Sequence, residues 1–330
     1  VVSITVDYMR DWGKHTHGSP LYAALVEVVA DDPELMRVIN RIEHLPPPNL
    51  LFAAVHYLLM EDPGDDLARF YPSIVSDAEP PMKVGPTFRR FVMEYEERIV
   101  EIGNTRYTQT NECRRCVSLL PMVMLAPFET FHLIDVGASA GLNLALDRYG
   151  YRYDGQHWHP EADLVLEAEW RGEALSFHEI EVLGRIGLDL NPLDPADESA
   201  RRWLDALIWP EHEERRARLR SALQLVSTLE LKMVAGDATE TLPRILDGLP
   251  SGAPVIIMSS FTLGQFDQPQ RELLEGIVSE ARTHRPVHRV SMDILEKSDD
   301  WAQLVVDDGA GARTVGQAHP HGEWVEIYAW

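Results

Sequence analysis

The chain has 330 residues, of which 45% are hydrophobic and 25% charged; this is the composition of a globular protein with a sizeable core and excludes disordered, collagen-like and coiled-coil classes. Fifty-three acidic against 30 basic residues leave a formal net charge of −23, a field that repels polyphosphate, so no nucleic-acid partner is expected. No stretch approaches the roughly 20 apolar residues that cross a bilayer, the N-terminus lacks a secretory pattern, and the only cysteines, Cys113 and Cys116, make no disulfide framework; a cytoplasmic protein with no membrane partner is expected.

In chain order, the first third reads as helical. Ser19-Pro20 supplies an N-cap and a proline at the first helical position, followed by Leu21, Leu25, Val28 and Val29 at helical spacing. Asp32-Pro33 opens a second helix. Pro46-Pro47-Pro48 breaks the chain, and residues 50–60 form a nearly all-apolar helix that stops at Asp62-Pro63-Gly64. Residues 88–101 predict one amphipathic helix and 111–125 another. No strand is predicted before residue 130.

The pattern then changes. Strands are predicted at 131–136, 185–190, 231–235, 254–259, 287–295 and 323–328, with helices between them, one carrying Trp203, Leu204 and Leu207 and another near 270–281. Alternation of this kind predicts an α/β fold with a parallel sheet. Residues 149–182, with Tyr151, Tyr153, Trp158 and Trp170 among turn signals, read as a β-hairpin-like insertion. The expected organisation is an all-helical N-terminal cap domain over 1–128 and an α/β domain over 129–330.

The chemistry concentrates at strand ends. Ile134-Asp135-Val136-Gly137-Ala138-Ser139-Ala140-Gly141-Leu142-Asn143 is a strand ending in an acid, then a glycine turn, then a helix pattern. Glycine lets backbone approach a ligand closely, and a helix N-terminus offers free N–H groups. Asp189 ends the next strand, where a carboxylate can accept ribose hydroxyls. Asp237, followed by Ala238, ends the third. These three segments resemble the successive cofactor motifs of class I S-adenosylmethionine-dependent methyltransferases, which implies a Rossmann-like methyltransferase sheet over roughly 131–295. Carried over, Asp135, Gly137, Ala138, Ser139, Gly141 and Asn143 match the loop that holds the methionine part, Asp189 the ribose acid, and Asp237 with Ala238 the adenine side. The implied cofactor is S-adenosyl-L-methionine and the implied partner a small-molecule acceptor, with a homodimer left open. The wide spacing created by the insertion leaves Asp154 as a rival to Asp189. Ser259-Ser260-Phe261-Thr262 lacks the Asn/Asp-Pro-Pro-aromatic motif of many amino-group methyltransferases.

Across nearly the whole chain, Ser19-Pro20-Leu21-Tyr22, Pro48-Asn49-Leu50-Leu51, Thr108-Gln109-Thr110-Asn111-Glu112, the Gly137–Asn143 turn and Trp209-Pro210 resemble a bacterial domain-of-unknown-function family, which implies the same fold and no settled activity.

The polar segment before the first strand reads either as a helix cap or as a lining of the site; on the second reading Arg106, Gln109, Asn111 and Arg115 bind substrate. Glu112 and His132 are the candidate general bases. Two readings from other classes stand beside this one. Gly137-Ala138-Ser139-Ala140-Gly141 also matches the Gly-x-Ser-x-Gly elbow of α/β-hydrolases, with Ser139 as nucleophile and His284, His288, His319 or His321 downstream; the other is a non-catalytic ligand-binding protein on a methyltransferase-like fold. Cys113-x-x-Cys116 has metal or redox spacing, but no second pair exists and a helix explains it. His319-Pro320-His321 could bind metal, but isolated loop histidines are more often solvated, so no metal site is expected. The arginines of 211–226, interleaved with acids, read as a salt-bridged helix face.

Overall fold

A computed structural model describes residues 3–16, 18–173, 176–294 and 301–328. The chain divides into two units, Val1–Thr110 with Glu198–Arg220, and Asn111–Asp197 with Ser221–Trp330. The first contains α1 (Val6–Gly13), α2 (Pro20–Asp31), α3 (Pro33–Ile39), α4 (Pro47–Glu61), α5 (Gly85–Glu94) and α6 (Glu96–Thr105). Ser19 Oγ accepts the Tyr22 amide at 3.1 Å and caps α2, and Asp32 accepts the Glu34 and Leu35 amides at the start of α3. Along α4 every residue from Leu50 to Leu59 is buried, as an all-apolar run requires. The expected single helix over 88–101 is instead two, α5 and α6, separated at Tyr95, which leaves helical geometry at ψ 19°. Its ring packs on Phe91 at 4.6 Å, and Glu96 restarts the helix with its carboxylate held by Arg37 and Arg41.

The second unit begins with α7 (Cys116–Val123), shorter than the 111–125 expectation, and β1 (Thr130–Val136). It continues through β2 (Gly150–Tyr153), β3 (Gln156–Trp158), β4 (Val165–Gly172) and β5 (Glu181–Asp189). Next come α8 (Glu198–Ala206), which belongs to the first unit, and α9 (Glu213–Val226), which the division crosses. The chain closes with β6 (Leu231–Ala235), α10 (Ala238–Asp247), β7 (Val255–Ser260), α11 (Gln268–Arg282), β8 (Val287–Asp293), β9 (Ala302–Asp307), β10 (Ala312–Ala318) and β11 (Trp324–Ile327). No helix among the described residues is long and apolar enough to cross a membrane.

The fold class is α/β, with a mixed sheet of eleven strands in the order β3-β2-β4-β11-β10-β9-β8-β7-β1-β5-β6. From β6 to β8 neighbouring strands are parallel. Beyond β8 the sheet turns antiparallel through β9, β10 and β11. The expected strand at 287–295 ends at Asp293, and Leu295 lies outside the described residues. β9 and β10 were not expected. The insertion does contain a hairpin, β2–β3, turning at Asp154 (φ 23°) and Gly155 (φ 94°), the Asp-Gly pair that such turns favour. It also supplies β4, which pairs with both β2 and β11 and so makes the insertion one end of the main sheet.

Ile134 and Val136 of β1, Ile186 and Leu188 of β5, and Val255 and Ile257 of β7 form a core with Leu242 and Ile245 of α10 and Leu274 and Val278 of α11. Strand side chains alternate between faces, so Phe131, Leu133 and Asp135 point away from that layer. On the other side α7 is buried at all eight positions, with the Met122 carbonyl 3.0 Å from His288 Nε2 of β8.

Candidate functional site

The parallel strands, read in the order of their first appearance, run 3-2-1-4-5, and the direction of winding reverses between β1 and β7. In open α/β sheets ligands seat at the carboxyl ends of the strands beside such a reversal. The glycine turn lies there. Gly137, Ser139 and Gly141 adopt φ of 85°, 51° and 75°, and at Ser139 that left-handed geometry is adopted without glycine's freedom.

Each amide from Gly137 to Gly141 is used inside the protein. Those of Gly137 and Ala138 donate to the Leu188 carbonyl at 2.7 and 3.2 Å, and that of Gly141 to Ala138 at 2.7 Å. The Ser139 amide donates to Asp189 Oδ2 at 2.8 Å and the Ala140 amide to Asn111 Oδ1 at 3.2 Å. The expected helix after the turn is a 3₁₀ turn of four residues, Leu142–Ala145. It ends early because the chain must enter β2, and its carbonyls go to side chains instead: Leu142 to the Tyr149 hydroxyl at 2.8 Å, and Leu144 to Arg185, whose guanidinium also pairs with Asp147 at 2.6 and 2.7 Å. With these five amides engaged, residues 137–141 do not offer a phosphate the N–H array of a glycine-rich cradle. A Cβ at Gly137 would lie 2.0 Å from Thr262 Oγ1, and one at Gly187 would lie 2.5 Å from Met233 Sδ and 2.9 Å from Ala138 Cβ. Both glycines therefore serve close packing of the turn on its own chain.

The strand-end acids differ in what they touch. Asp189 accepts the Ser139 and Asn191 amides, each at 2.8 Å. A carboxylate has about four lone-pair sites, so two remain. Asp237 caps α10, accepting the Thr239 hydroxyl and, at 2.8 Å, the Thr239 amide; the first of these bonds chiefly lowers its pKa. Ala238 is the first residue of that helix. Asp154 lies in the β2–β3 turn and accepts the Trp170 amide at 2.6 Å, with seven strand steps in the sheet between β2 and β1. Asp135 is different. It is 1% exposed, and neither carboxylate oxygen has a hydrogen-bond partner within 3.5 Å among the described residues, although the Asn143 side chain is near enough to favour the charged form. Burial, reinforced by the negative charge of Asp189 and opposed by Asn143 and Arg115, raises its pKa from 3.8 to about 7.

Asn111 and Arg115 join this cluster. Asn111 donates to Ser139 Oγ and accepts the Ala140 amide. Arg115 donates to the Pro320 carbonyl at 3.1 Å and Ser260 Oγ at 3.4 Å, with its guanidinium 4.1 Å over the Phe261 ring. Glu112 is buried and accepts the Arg114 amide at 3.2 Å. Asn143 Oδ1 accepts from the Cys116 thiol at 3.5 Å. Arg106 and Gln109 belong to the first unit, where the Arg106 guanidinium lies 4.9 Å over Tyr57 and 5.6 Å over Trp203. His132 sits early in β1, three residues before Asp135, which is about 10 Å along a strand and on the opposite face; burial and Arg285 hold its pKa down. It is not part of the cluster. A shallow depression of about 540 Å³ opens at that same end, lined by Ala126, Pro127, Phe128, Glu129, Thr130 and His178, away from the strand-end acids.

Ser260, Phe261 and Asp293 were missed by sequence reasoning. Phe261 stands at φ 55° directly after β7, in the Ser259-Ser260-Phe261-Thr262 segment, which stands out in the sequence only for the motif it lacks. Asp293 ends β8, accepts the Leu263 and Gly264 amides at 3.3 and 3.1 Å, and is raised to about pKa 6, mainly by burial. Its position as another acid at a strand end was a readable signal.

Residues 7–327 match a family described as an uncharacterized protein conserved in bacteria (DUF2332), and the chain belongs to that family. No curated protein matches it.

Proposed function

We propose that this member of the DUF2332 family has a Rossmann-like methyltransferase frame, binds S-adenosylmethionine over the carboxyl ends of β1, β5 and β6, and methylates a small molecule. Asp135 carries the reading. A buried carboxylate without a partner is costly, and a cationic ligand group removes that cost; the cofactor brings an ammonium and a sulfonium. Three further features support it. The amides of residues 137–141 are all engaged within the protein, which suits a ligand with ribose better than one held by its phosphates. Asp189 retains capacity for two hydroxyl donors while it holds the turn. The chain's net charge of −23 favours a small acceptor over nucleic acid.

When bound, the cofactor supplies a methyl group already activated on sulfur. The chain's part is to bind, orient and exclude water. Asp135 meets positive charge in a dry site, the Asp189 and Asn111 side chains keep the turn in shape, and Arg115 with Phe261 forms a rigid wall beside it. If the acceptor must lose a proton, Glu112 is the candidate base beside this cluster.

Titration calorimetry with S-adenosylmethionine and S-adenosylhomocysteine tests the reading, with one-to-one binding expected. Binding without turnover would leave a ligand-binding protein. One observation favours a serine hydrolase: Ser139 holds the positive φ of a nucleophile elbow. Against it, the neighbour of Ser139 Oγ is the Asn111 amide, which cannot accept a proton as histidine does. Covalent labelling of Ser139 by an organophosphonate, with no heat from either sulfur ligand, would overturn the methyltransferase proposal.

A further inference from the structure

We propose that Asn111 is the positioning residue of the glycine turn: its carboxamide holds Ser139 and Ala140 in the left-handed bend and so acts on the bound ligand through the turn, without touching it. The need arises from Ser139. It is the one residue of the turn at positive φ that is not glycine (φ 51°), and an L-residue stays there only if its surroundings over-determine it. Four bonds do so. Its amide is held by Asp189 Oδ2 at 2.8 Å, and its carbonyl accepts the Leu193 amide at 3.0 Å. Asn111 provides the other two, Nδ2 donating to Ser139 Oγ and Oδ1 accepting the Ala140 amide at 3.2 Å.

The chemistry of the side chain fits this role. A carboxamide presents a donor and an acceptor side by side in one plane, which matches a hydroxyl and the amide of the following residue. Each polar end of Asn111 makes a bond to the turn, which is the arrangement that a residue acting through the turn requires. The two bonds span consecutive residues, so they fix the peptide between Ser139 and Ala140 and with it the direction in which the turn faces the strand ends.

The proposal rests on the S-adenosylmethionine reading only for its second readout. The first is hydrogen exchange over residues 137–141 in the ligand-free protein. Asn111→Ala should quicken exchange there at least tenfold, while protection elsewhere in the sheet stays unchanged. The second readout is affinity for S-adenosylhomocysteine, which should fall about tenfold, or about 1.4 kcal/mol, with kcat at saturating cofactor much less affected. Adding Ser139→Gly should recover the affinity to within about threefold, since glycine adopts positive φ without being held there. A residue with a merely structural role gives no such rescue. If Asn111→Ala does not fold, Asn111→Asp replaces it. That variant keeps two acceptors, to which the Ser139 hydroxyl and the Ala140 amide can both donate, and should protect the turn as the native residue does. Unchanged exchange in Asn111→Ala, an unprotected turn in Asn111→Asp, or faster exchange without rescue by Ser139→Gly would each overturn the proposal. If the native protein binds no S-adenosylhomocysteine, the methyltransferase reading fails while the exchange data still decide the role of Asn111.

Discussion

Replacing Asp135 with asparagine should stabilise the ligand-free protein at alkaline pH and weaken its ligand binding. In the folded chain burial raises this carboxyl from 3.8 to about 7; at about 1.4 kcal/mol per unit the difference amounts to about 4 kcal/mol. The unfolded chain releases the proton near pH 4 and the folded chain holds it to near pH 7. Between those values the folded state binds more protons, so stability falls as pH rises. The penalty is absent below pH 4, grows through the window, and is complete above pH 7. Asparagine cannot ionise, so the variant lacks this slope. A buried amide without partners costs about 1–3 kcal/mol at every pH, which offsets the curve and leaves its shape. Urea unfolding of both proteins at intervals from pH 4 to 8 gives the test. The stability difference, variant minus native, should rise by about 4 kcal/mol over that range. A flat difference would mean that the carboxylate is ionised at no cost and already has a partner, and the argument for a cationic ligand would go with it. Affinity for S-adenosylmethionine should fall by roughly 10- to 150-fold, the range for losing a hydrogen bond to a charged group.

Asp189→Ala removes the acceptor of the Ser139 and Asn191 amides as well as the proposed ribose contact. A lower melting temperature is therefore expected together with an affinity loss of about 10- to 150-fold; an unaltered melt would contradict the bonding described for the turn. Ser139→Ala should retain S-adenosylmethionine affinity to within about fivefold, since the loss is one neutral hydrogen bond, whereas a hydrolase would lose all activity in an esterase assay. Gly137→Val places side-chain atoms where Thr262 Oγ1 would lie 2.0 Å from the new Cβ, at a φ of 85°; circular dichroism should report a destabilised fold in addition to lost binding. Arg185→Met removes the bidentate partner of the buried Asp147 and leaves it the Arg148 guanidinium at 3.3 Å; it should cost up to about 3–5 kcal/mol in denaturant unfolding, a value near zero counting against a structural role for the pair.

The helical first third and the five parallel strands were legible because each is a run whose apolar period matches its element. Ile134 and Val136, Ile186 and Leu188, and the Val255-Ile256-Ile257 run lie in short apolar stretches, mostly β-branched and bounded by polar turns. β9 and β10 escaped notice although a signal exists. Ala302, Leu304 and Val306 are buried in strict alternation, and Asp308-Gly309 then turns the chain into a partner strand. Both strands carry polar residues between the apolar ones and so resemble loop. The single helix expected over 88–101 misled because its period survives the break at Tyr95, and a break of one residue hardly disturbs a 3.6-residue pattern.

Candidate residues divide along the same physical line. Asp135, the glycines of the turn, Asp189 and Asp237 could be read from the chain because each lies at the end of a strand or within a few residues after it, and adjacency in sequence is adjacency at a strand end. The period of two already set His132 and Asp135 on opposite faces once β1 was recognised. By contrast, Asn111 meets Ser139 across 28 positions, and Arg115 meets Pro320 across 205. No local pattern encodes those encounters, since they depend on the order of strands in the sheet and on where α7 packs. The state of Asp135 was equally hidden: a strand-end carboxyl reads the same whether it is solvated, paired or stranded, and its raised pKa comes from burial and from the Asp189 charge. Composition and periodicity thus determined which elements form and where acids and glycines punctuate them, because those are local properties of the backbone and of side-chain polarity. Which side chains share a site, and which of them stand without a partner, was decided only by tertiary structure, since solvent exclusion and long-range pairing exist only once the chain has folded.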